Sequence, residues 1–265
     1  MVELKGCQGE CTLRPVVIID GLTSSGSSSV ASRIAQTLDL KHYSSGKLYR
    51  QLCIEMGHCP KDLKDPNFES AYVTFLQTIV PKHPDFDIKI DNKFLELVKN
   101  AKEPMIAEGR VTAALVTKLE IPVIVKVWIT ADIKSRVERF KIKYGKEVAK
   151  KYTDEMIAKI LNDKDNLDRE RYLKLYNVDI FKPELYNDIV LDTSGQTLDE
   201  SYYQLINHPL FREKIKKLFD FYPDYATSII RWKCLVCGYV YEGFVPIRMC
   251  PKCGNIDPDK FKDLF

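Results

Sequence analysis

The sequence predicts an α/β fold with a parallel sheet, followed by a small metal-binding module at the C-terminus. Three observations support this prediction. Short apolar runs alternate with helical patterns, which is typical of βα units. The first run ends in a loop of glycine and serine that opens an amphipathic helix. Two C-x-x-C pairs lie near the C-terminus, and 265 residues are enough for one large domain plus a small one.

The predicted strands are four apolar runs, at residues 16–20, 105–108, 123–129 and 188–192. The helix after the first strand carries Val30, Ile34 and Leu38 on one face, with the 3.6-residue period of an α-helix. Further helices are predicted at 46–56 and 154–176. Residues 60–102 have helical patterns and no strand, which predicts a separate lobe inserted between the first two βα units. The last strand leads into "DTSGQTLDESYYQLI", in which a threonine and a serine are candidate N-caps of a periodic helix.

The first loop lies in "VVIIDGLTSSGSSSVASRIAQTLDL" and resembles the phosphate-binding pattern G-x-x-x-x-G-K-[ST], the P-loop. Gly21 and Gly26 have the required spacing, and Ser28 occupies the hydroxyl position. Backbone N–H groups of such a loop bind phosphates, and its lysine reaches the outer ones. Here the lysine position is Ser27. The loop therefore predicts nucleotide binding and leaves phosphoryl transfer open.

Residues 134–151 contain eight Lys or Arg residues against two Asp or Glu residues. Such a run is usually the solvent-exposed face of a helix. In a chain that opens with a phosphate-binding loop, it also fits a basic flap that closes over phosphates. Both interpretations stay open at this point.

Composition excludes some classes of protein. A net charge of +3 does not argue for nucleic-acid binding, and no apolar run reaches the roughly 18 residues that span a membrane. The first 15 residues lack the apolar centre of a signal peptide, so we expect a cytoplasmic protein. Four cysteines lie outside the C-x-x-C pairs, namely Cys7, Cys11, Cys53 and Cys59, and they are expected to be buried or idle thiols. Metal binding by Cys7 and Cys11 is a less favoured alternative.

Four segments, taken in order, resemble the cytidylate kinases and especially their short archaeal branch. They are "GLTSSGSSSVASRIAQTL", "HYSSGKLYRQL", "MIAEGRVTAALV" and "RERYLKLYNVDIFKPELYNDIVLDTS". The resemblance covers roughly residues 14–208. It implies a P-loop nucleoside monophosphate (NMP) kinase fold within residues 1–222, with a five-stranded parallel sheet, an NMP-binding lobe at about 45–102 and a lid at about 136–170. The implied reaction transfers the γ-phosphoryl group of ATP, bound with Mg²⁺, to CMP or dCMP.

The resemblance also implies roles for individual residues. Those that would wrap the ATP phosphates are Gly21, Leu22, Thr23, Ser24, Ser25, Gly26, Ser27, Ser28 and Ser29, with the Ser28 hydroxyl on Mg²⁺. Those that would bind the acceptor nucleotide are Arg50, Arg110, Asp168 and Arg171. Catalytic roles fall to Ser28, Arg110 and the lid residues Arg136 and Arg139. The chain departs from the family at two positions. Ser27 stands in place of the P-loop lysine, so a lid cation or Lys47 would have to supply the charge of that lysine. Lys164 stands where a lid arginine is expected.

The C-terminal segment "RWKCLVCGYVYEGFVPIRMCPKCGN" is the most specific short pattern in the chain. Twelve residues separate its two pairs, Cys234–Cys237 and Cys250–Cys253, and a glycine follows each pair. Four thiolates at this spacing suit tetrahedral Zn²⁺ or Fe. The glycines are expected to turn the backbone beneath the sulfurs so that N–H groups can bond to them. The aromatic residues Trp232, Tyr239 and Tyr241 are expected to form a miniature core.

This segment resembles the rubredoxin-like domain of rubrerythrins over about residues 230–256, and we predict a separate domain at 228–265. Zinc would make it a structural or docking ribbon, whereas iron would allow electron transfer. The whole sequence favours a monomeric kinase. The alternative is a catalytically weak nucleotide-binding factor whose ribbon docks RNA or protein. A purely redox protein is least favoured, because it leaves the first 220 residues unexplained.

Overall fold

The computed structural model of the chain describes residues 13–62, 65, 68–222, 230–243 and 249–264. Cys7 and Cys11 lie outside these residues, and so does most of the predicted boundary between the two domains. Within the described ranges, no helix has both the length and the apolar character needed to cross a membrane.

Five parallel strands form the central sheet, in the order β2-β3-β1-β4-β5. Their bounds are Arg14–Gly21 (β1), Lys41–Ser44 (β2), Met105–Gly109 (β3), Val123–Thr130 (β4) and Ile189–Asp192 (β5). The four strands predicted from apolar runs are confirmed. The sequence "KHYS" of β2 is polar and lies at the edge of the sheet, which is why apolar patterning did not find it.

Nine α-helices are described. Their bounds are Ser27–Thr37 (α1), Ser45–Glu55 (α2), Phe68–Thr78 (α3), Pro84–Lys99 (α4), Thr112–Lys118 (α5), Ile133–Lys151 (α6), Asp154–Tyr176 (α7), Leu198–Ile206 (α8) and Pro209–Phe221 (α9). As predicted, the described part of residues 60–102 contains helices and no strand. The predicted N-cap threonine is Thr197, which forms a capping box with Glu200 at the start of α8.

Both faces of the sheet are covered, as a parallel sheet requires. Along β1 the side chains alternate between two apolar clusters. Val17 and Ile19 pack with α1, α8 and α9, whereas Val16 and Ile18 pack with α4, α5 and α7. The α/β part of the chain therefore has a substantial core of its own.

A smaller core holds α2, α3 and α4 together as the lobe that the sequence predicts, and it contains a disulfide. Cys53, at the end of α2, bonds to Cys59 in the following turn, with the two Cα atoms 5.3 Å apart. The expectation of idle thiols is therefore wrong for this pair. The turn brings them together because the N–H groups of His58 and Cys59 both donate to the Cys53 carbonyl.

Helices α6 and α7 form a hairpin packed through Val137, Ile157 and Leu161. The backbone leaves the helical conformation at Gly145, where φ is 80°. This hairpin contains the basic run of residues 134–151. The interpretation of this run as a solvent-exposed helix face holds for only part of it, because the Arg136 side chain is buried.

The C-terminal segment forms a three-stranded antiparallel sheet in the order β7-β6-β8. Its strands are Ile230–Cys234 (β6), Val240–Gly243 (β7) and Phe261–Leu264 (β8). Its small apolar cluster consists of Cys234, Cys250 and Phe261, with Trp232, Cys237 and Tyr239 packed against it. Tyr241 is buried as well, which agrees with the predicted aromatic core.

Candidate active site

The P-loop connects β1 to α1 at the carboxyl edge of the sheet, where ligands bind in open α/β folds. A Cβ at Gly21 would lie 2.5 Å from the Ile129 carbonyl oxygen, so only glycine fits there. Gly26, at φ 96°, immediately precedes α1, and Ser24 also has positive φ, at 59°. This unusual backbone ends at the N-terminus of α1, whose first-turn N–H groups suit a phosphate.

Two acidic side chains lie beside the P-loop. The Ser28 hydroxyl donates to Glu108 Oε1 at 2.8 Å, and the Ala113 N–H donates to Asp20 Oδ2 at 2.8 Å. Burial, reinforced by the charge of Glu108, raises the pKa of Asp20 to about 7. Among the described residues, Asp20 Oδ1 and Glu108 Oε2 have no hydrogen-bond partner although both are buried. These carboxylate oxygens beside a serine hydroxyl fit Mg²⁺, which prefers oxygen ligands.

Arg110 follows β3 and connects the P-loop to α7. Its Nη2 donates to Thr23 Oγ1 at 2.8 Å, and its Nη1 lies 2.7 Å from Asp165 Oδ1 and 2.8 Å from Asp168 Oδ2. Burial alone would lower the pKa of Arg110, but Asp168 and Asp165 raise it above its ordinary value. The guanidinium is therefore a fixed cation between the two elements.

The two predicted lid arginines both contact the P-loop. Arg136 donates from Nε to the Thr23 carbonyl at 2.8 Å and forms an ion pair with Asp165. Arg139 donates to the Ser25 carbonyl and to three oxygens of the loop after β5, contributed by Thr193 and Gln196. Arg136 thus lies against the buried carboxylate of Asp165, whereas Arg139 connects the P-loop to the loop after β5.

The predicted acceptor pair lies on α7. Arg171 Nη2 lies 2.8 Å from Asp168 Oδ1, and its Nε lies 3.2 Å from Asp87 Oδ2 on α4. Burial alone would raise the pKa of Asp168, but Arg110, Lys164 and Arg171 hold it below its ordinary value. Asp168 therefore stays ionised between two arginines.

A buried polar layer lies behind this pair. Tyr49 donates to Asp87, and Tyr176 donates to Asp91 at 2.9 Å. Burial raises the pKa of Asp91 to about 7 and also raises the pKa of Asp87. Arg50 lies in the same lobe, with its guanidinium 4.9 Å above the ring of Tyr72.

The four predicted metal-ligating cysteines converge. Their sulfur atoms all lie within 4.8 Å of one another, with Cys234 to Cys253 at 3.7 Å and Cys237 to Cys250 at 3.5 Å. Sulfurs placed tetrahedrally at 2.3 Å from a zinc ion are about 3.8 Å apart. The residues therefore fit a single four-coordinate metal ion.

The glycine that follows each pair has the positive φ the tight turn needs, 75° at Gly238 and 71° at Gly254. Backbone N–H groups bond to the Cys250 sulfur as expected, although the glycine N–H groups are not the donors. Each glycine N–H donates at 2.8 Å to the carbonyl of the first cysteine of its pair, whereas Lys252 and Cys253 provide the backbone N–H groups that bond to the Cys250 sulfur.

Comparison with known proteins decides the family. A model of the cytidylate kinase-like family matches residues 16–195, which is more than half of the chain. The chain belongs to this family. A model of the rubredoxin-like domain of rubrerythrin matches residues 232–262. The protein is thus a kinase of the cytidylate kinase-like family with a rubredoxin-like domain at its C-terminus.

Several relatives named cytidylate kinase cover most of this kinase. The protein from Pyrococcus horikoshii is 28% identical over 179 residues, which are 68% of this chain and 80% of the relative. That from Methanopyrus kandleri is 29% identical over 194 residues, or 71% and 89% of the two chains. That from Methanocaldococcus jannaschii is 28% identical over 181 residues, or 68% and 88%.

Sequence reasoning missed three acidic residues of this kinase site: Asp20, Glu108 and Asp165. Glu108 stands in the E-G-R segment that carries the resemblance, so its position could have signalled a role. Asp20 ends an apolar strand next to the P-loop, where a buried acid is unexpected and therefore informative. Asp165 contacts Thr23, which lies 142 residues away in the sequence, and no local sequence pattern predicts that contact.

Proposed function

We propose that the protein is a nucleoside monophosphate kinase that transfers the γ-phosphoryl group of ATP to CMP or dCMP. One observation carries this proposal beyond the family: Arg110 contacts Thr23 of the P-loop with one nitrogen and Asp168 of the predicted acceptor pair with the other. A single, partly buried cation thus joins the donor and acceptor sides of the site. The names of the archaeal relatives support cytidylate as the acceptor.

On the donor side, residues 21–29 would surround the ATP phosphates with backbone N–H groups and hydroxyls. Ser28 and Glu108 would hold Mg²⁺, with Asp20 beside them. The bound ion would neutralise charge between the donor phosphates. Phosphoryl transfer needs alignment and charge stabilisation more than covalent chemistry, and the partly buried Arg110 and the buried Arg136 would supply guanidinium groups for it.

On the acceptor side, Arg50 and Arg110 would hold the phosphate of the acceptor, because a guanidinium binds phosphate with two parallel hydrogen bonds. Asp168 and Arg171 would bind the rest of the acceptor nucleotide. Asp87 orients Arg171 from below, since it lies 3.2 Å from the guanidinium and accepts a hydrogen bond from Tyr49.

The missing P-loop lysine favours a second candidate, a nucleotide-binding factor with little turnover. A Ser27 hydroxyl cannot supply the positive charge of an ammonium group. Of the two lid arginines Arg136 is the better placed substitute, because it lines a cavity next to Leu22 of the P-loop, whereas Arg139 ties the Ser25 carbonyl to the loop after β5. In the kinase proposal the charge of Arg136 takes over part of the role of the lysine.

The four-cysteine site would hold one Zn²⁺ or Fe ion, and we propose that it stabilises the rubredoxin-like domain. That the domain docks RNA or protein belongs to the second candidate function. In both cases the metal contributes to folding, because the apolar cluster of this domain is small.

Coupled measurement of ADP release across the nucleoside monophosphates tests the proposal, with CMP and dCMP expected as preferred acceptors. Arg50→Ala should raise the KM for CMP about 10- to 100-fold and the KM for ATP much less, because it removes a charge-assisted contact that the proposal assigns to the acceptor side alone, whereas Arg110→Ala should raise both KM values. Arg33→Ala, on the exposed face of α1, is the matched control. ATP binding without turnover of any acceptor would favour the second candidate. Equal effects of Arg50→Ala on both substrates would refute the role of Arg50, and an unchanged KM for both substrates in Arg110→Ala would refute the role of Arg110.

A further inference from the structure

Four donors converge on the carboxylate of Asp165. Its Oδ1 accepts from the Thr23 backbone N–H at 3.1 Å, from the Thr23 hydroxyl at 2.6 Å and from Arg110 Nη1 at 2.7 Å. Its Oδ2 accepts from Arg136 Nη2. The Asp165 side chain is only 3% exposed. These donors come from the P-loop, from the loop after β3 and from α6, whereas Asp165 itself belongs to α7.

This set of donors is one that would bind a tetrahedral oxyanion. It combines a P-loop amide, a hydroxyl and two guanidinium groups, which are the groups that bind phosphate oxygens in proteins. A carboxylate offers the same donors two oxygens and one negative charge. Carboxylate and phosphate would therefore compete for this place, and within the described residues Asp165 fills it.

We propose that the place of the Asp165 carboxylate is the site of the transferring phosphoryl group, and that Asp165 is an internal ligand which the incoming oxyanion displaces. The naming of the ligand as a phosphoryl group rests on the proposed kinase function. The site itself is defined by its donors and would take any tetrahedral oxyanion of suitable size.

The structure provides room for the displaced carboxylate. Asp165 and Arg136 line a cavity of about 540 Å³, and Asn162 and Asn166 line it from the same helix as Asp165. The amide groups of these asparagines can donate hydrogen bonds to a carboxylate that turns away from the P-loop. Displacement would therefore move the charge toward the amide donors of a cavity that Trp128 and Phe181 also line.

Displacement of Asp165 would also change the contacts that hold α7 against the P-loop. Asp165 connects α7 to the P-loop, and Asp168, one turn later, connects it to Arg110 and Arg171. Once an oxyanion replaces Asp165, Arg110 keeps Asp168 as its partner. Arrival of the donor phosphate would thus release one tie of the helix that carries the acceptor pair. The internal ligand lowers the affinity for oxyanions, because each must displace it.

Asp165→Asn tests this proposal, because it removes the competing charge while keeping the shape of the side chain. The probe is inorganic phosphate, titrated calorimetrically without nucleotide at constant ionic strength adjusted with chloride. We expect the variant to bind phosphate at least about tenfold more tightly than the wild type. Asp163→Asn, which changes an exposed acid on the same helix, should leave the affinity unchanged. Equal affinities in all three proteins would overturn the proposal.

Thermal unfolding gives a second readout. Arg110 and Arg136 lose a charged partner in Asp165→Asn, so the variant should melt at a lower temperature in chloride and regain most of the loss in phosphate. If the variant does not fold, a crystal structure of the wild type soaked in phosphate decides. Phosphate bonded to Thr23 and Arg136, with Asp165 turned away, supports the proposal, whereas an unmoved Asp165 overturns it.

The two proposals can fail separately. Binding of phosphate is measured without an acceptor, so a protein that phosphorylates no nucleoside monophosphate can still show the competition at Asp165. Conversely, if the protein phosphorylates CMP but Asp165→Asn leaves its phosphate affinity unchanged, the proposed function stands and the proposal about Asp165 is overturned.

Discussion

The kinase domain and the rubredoxin-like domain stabilise themselves in different ways. In the kinase domain, apolar clusters cover both faces of the sheet, and the charges of the site are paired with one another, as Arg110 is with Asp165 and Asp168. In the rubredoxin-like domain, the buried cluster is little more than Cys234, Cys250 and Phe261. Its four sulfur atoms have gathered around a point that suits a metal ion.

The two domains therefore depend on their ligands in different ways. The kinase domain has apolar clusters on both faces of its sheet and should fold without nucleotide. Its ligands would compete with internal partners such as Asp165. Four gathered thiolates would repel one another without a cation between them, so the smaller domain should fold only with its metal. Stability in the first domain is spread over many contacts, and in the second it is concentrated in one site.

The largest expected effect follows from that concentration. Cys234→Ser combined with Cys250→Ser should unfold residues 230–264 and leave the melting of the kinase domain nearly unchanged. The reason is that metal binding supplies most of the folding free energy of such small domains, on the order of 10 kcal/mol. Amide signals in NMR spectra, assigned to each domain, provide the measurement.

Metal analysis accompanies this test. Protein purified without added metal should contain about one Zn or Fe per chain, and iron would show a visible colour that bleaches on reduction. Loss of the entire fold in the double variant, or a wild type without metal, would show that the two domains do not differ in this way.

The next effect concerns a buried acid of the kinase domain. Since burial raises the pKa of Asp20 to about 7, the folded state holds this proton at pH values where the unfolded chain, with an ordinary carboxyl pKa near 4, has lost it. The contribution of Asp20 to stability is therefore complete below about pH 4 and declines as the pH rises to about 7. The decline amounts to about 4 kcal/mol at most.

Asp20→Asn should remove that decline, because an amide does not ionise. Denaturant unfolding at several pH values measures it. The difference in unfolding free energy between variant and wild type should shift in favour of the variant from pH 4 to pH 7 and then stay level. The exposed control Asp163→Asn should show no such shift, and a parallel course for Asp20→Asn would contradict the prediction.

The disulfide is expected to have a moderate effect. Replacing both Cys53 and Cys59 by serine should cost about 2 kcal/mol, because the short loop regains its freedom in the unfolded chain. Chemical unfolding with and without a reductant provides the measurement. Reductant should lower the stability of the wild type to that of the variant and leave the variant unchanged. If reductant leaves the unfolding free energy of the wild type unchanged, this lobe relies on its apolar contacts alone.

The smallest effect belongs to a single helix cap. Thr197 accepts a hydrogen bond from the Glu200 N–H and starts α8, so Thr197→Ala should cost about 1 kcal/mol. Thr197→Ser keeps the hydroxyl and should cost much less. Thermal unfolding of the two variants checks the difference. A cost of several kcal/mol would mean that stability in the kinase domain is less evenly spread than the comparison assumes.

The sequence predicted the features that depend on neighbours along the chain. The strands of the sheet interior, the bounds of α7 and the cysteine cluster follow from apolar runs, helical periodicity and short spacings. It did not predict contacts between distant segments. The Arg139 link to the loop after β5 joins residues 54 apart. The Cys53–Cys59 bond is local, but spacing alone does not distinguish a disulfide from two free thiols. Charge alone could not tell which basic residues of α6 are buried, because burial depends on the P-loop beneath them.

The sheet has a property that bears on association between molecules. Its two edge strands, β2 and β5, are only four residues long, whereas β1 and β4 have eight residues each. A short edge exposes few unpaired backbone groups on which a strand from another chain could add. Lys41 on β2 and Asp192 on β5 also place exposed charges along these edges. The central sheet should therefore resist the addition of a strand from another molecule at both of its edges.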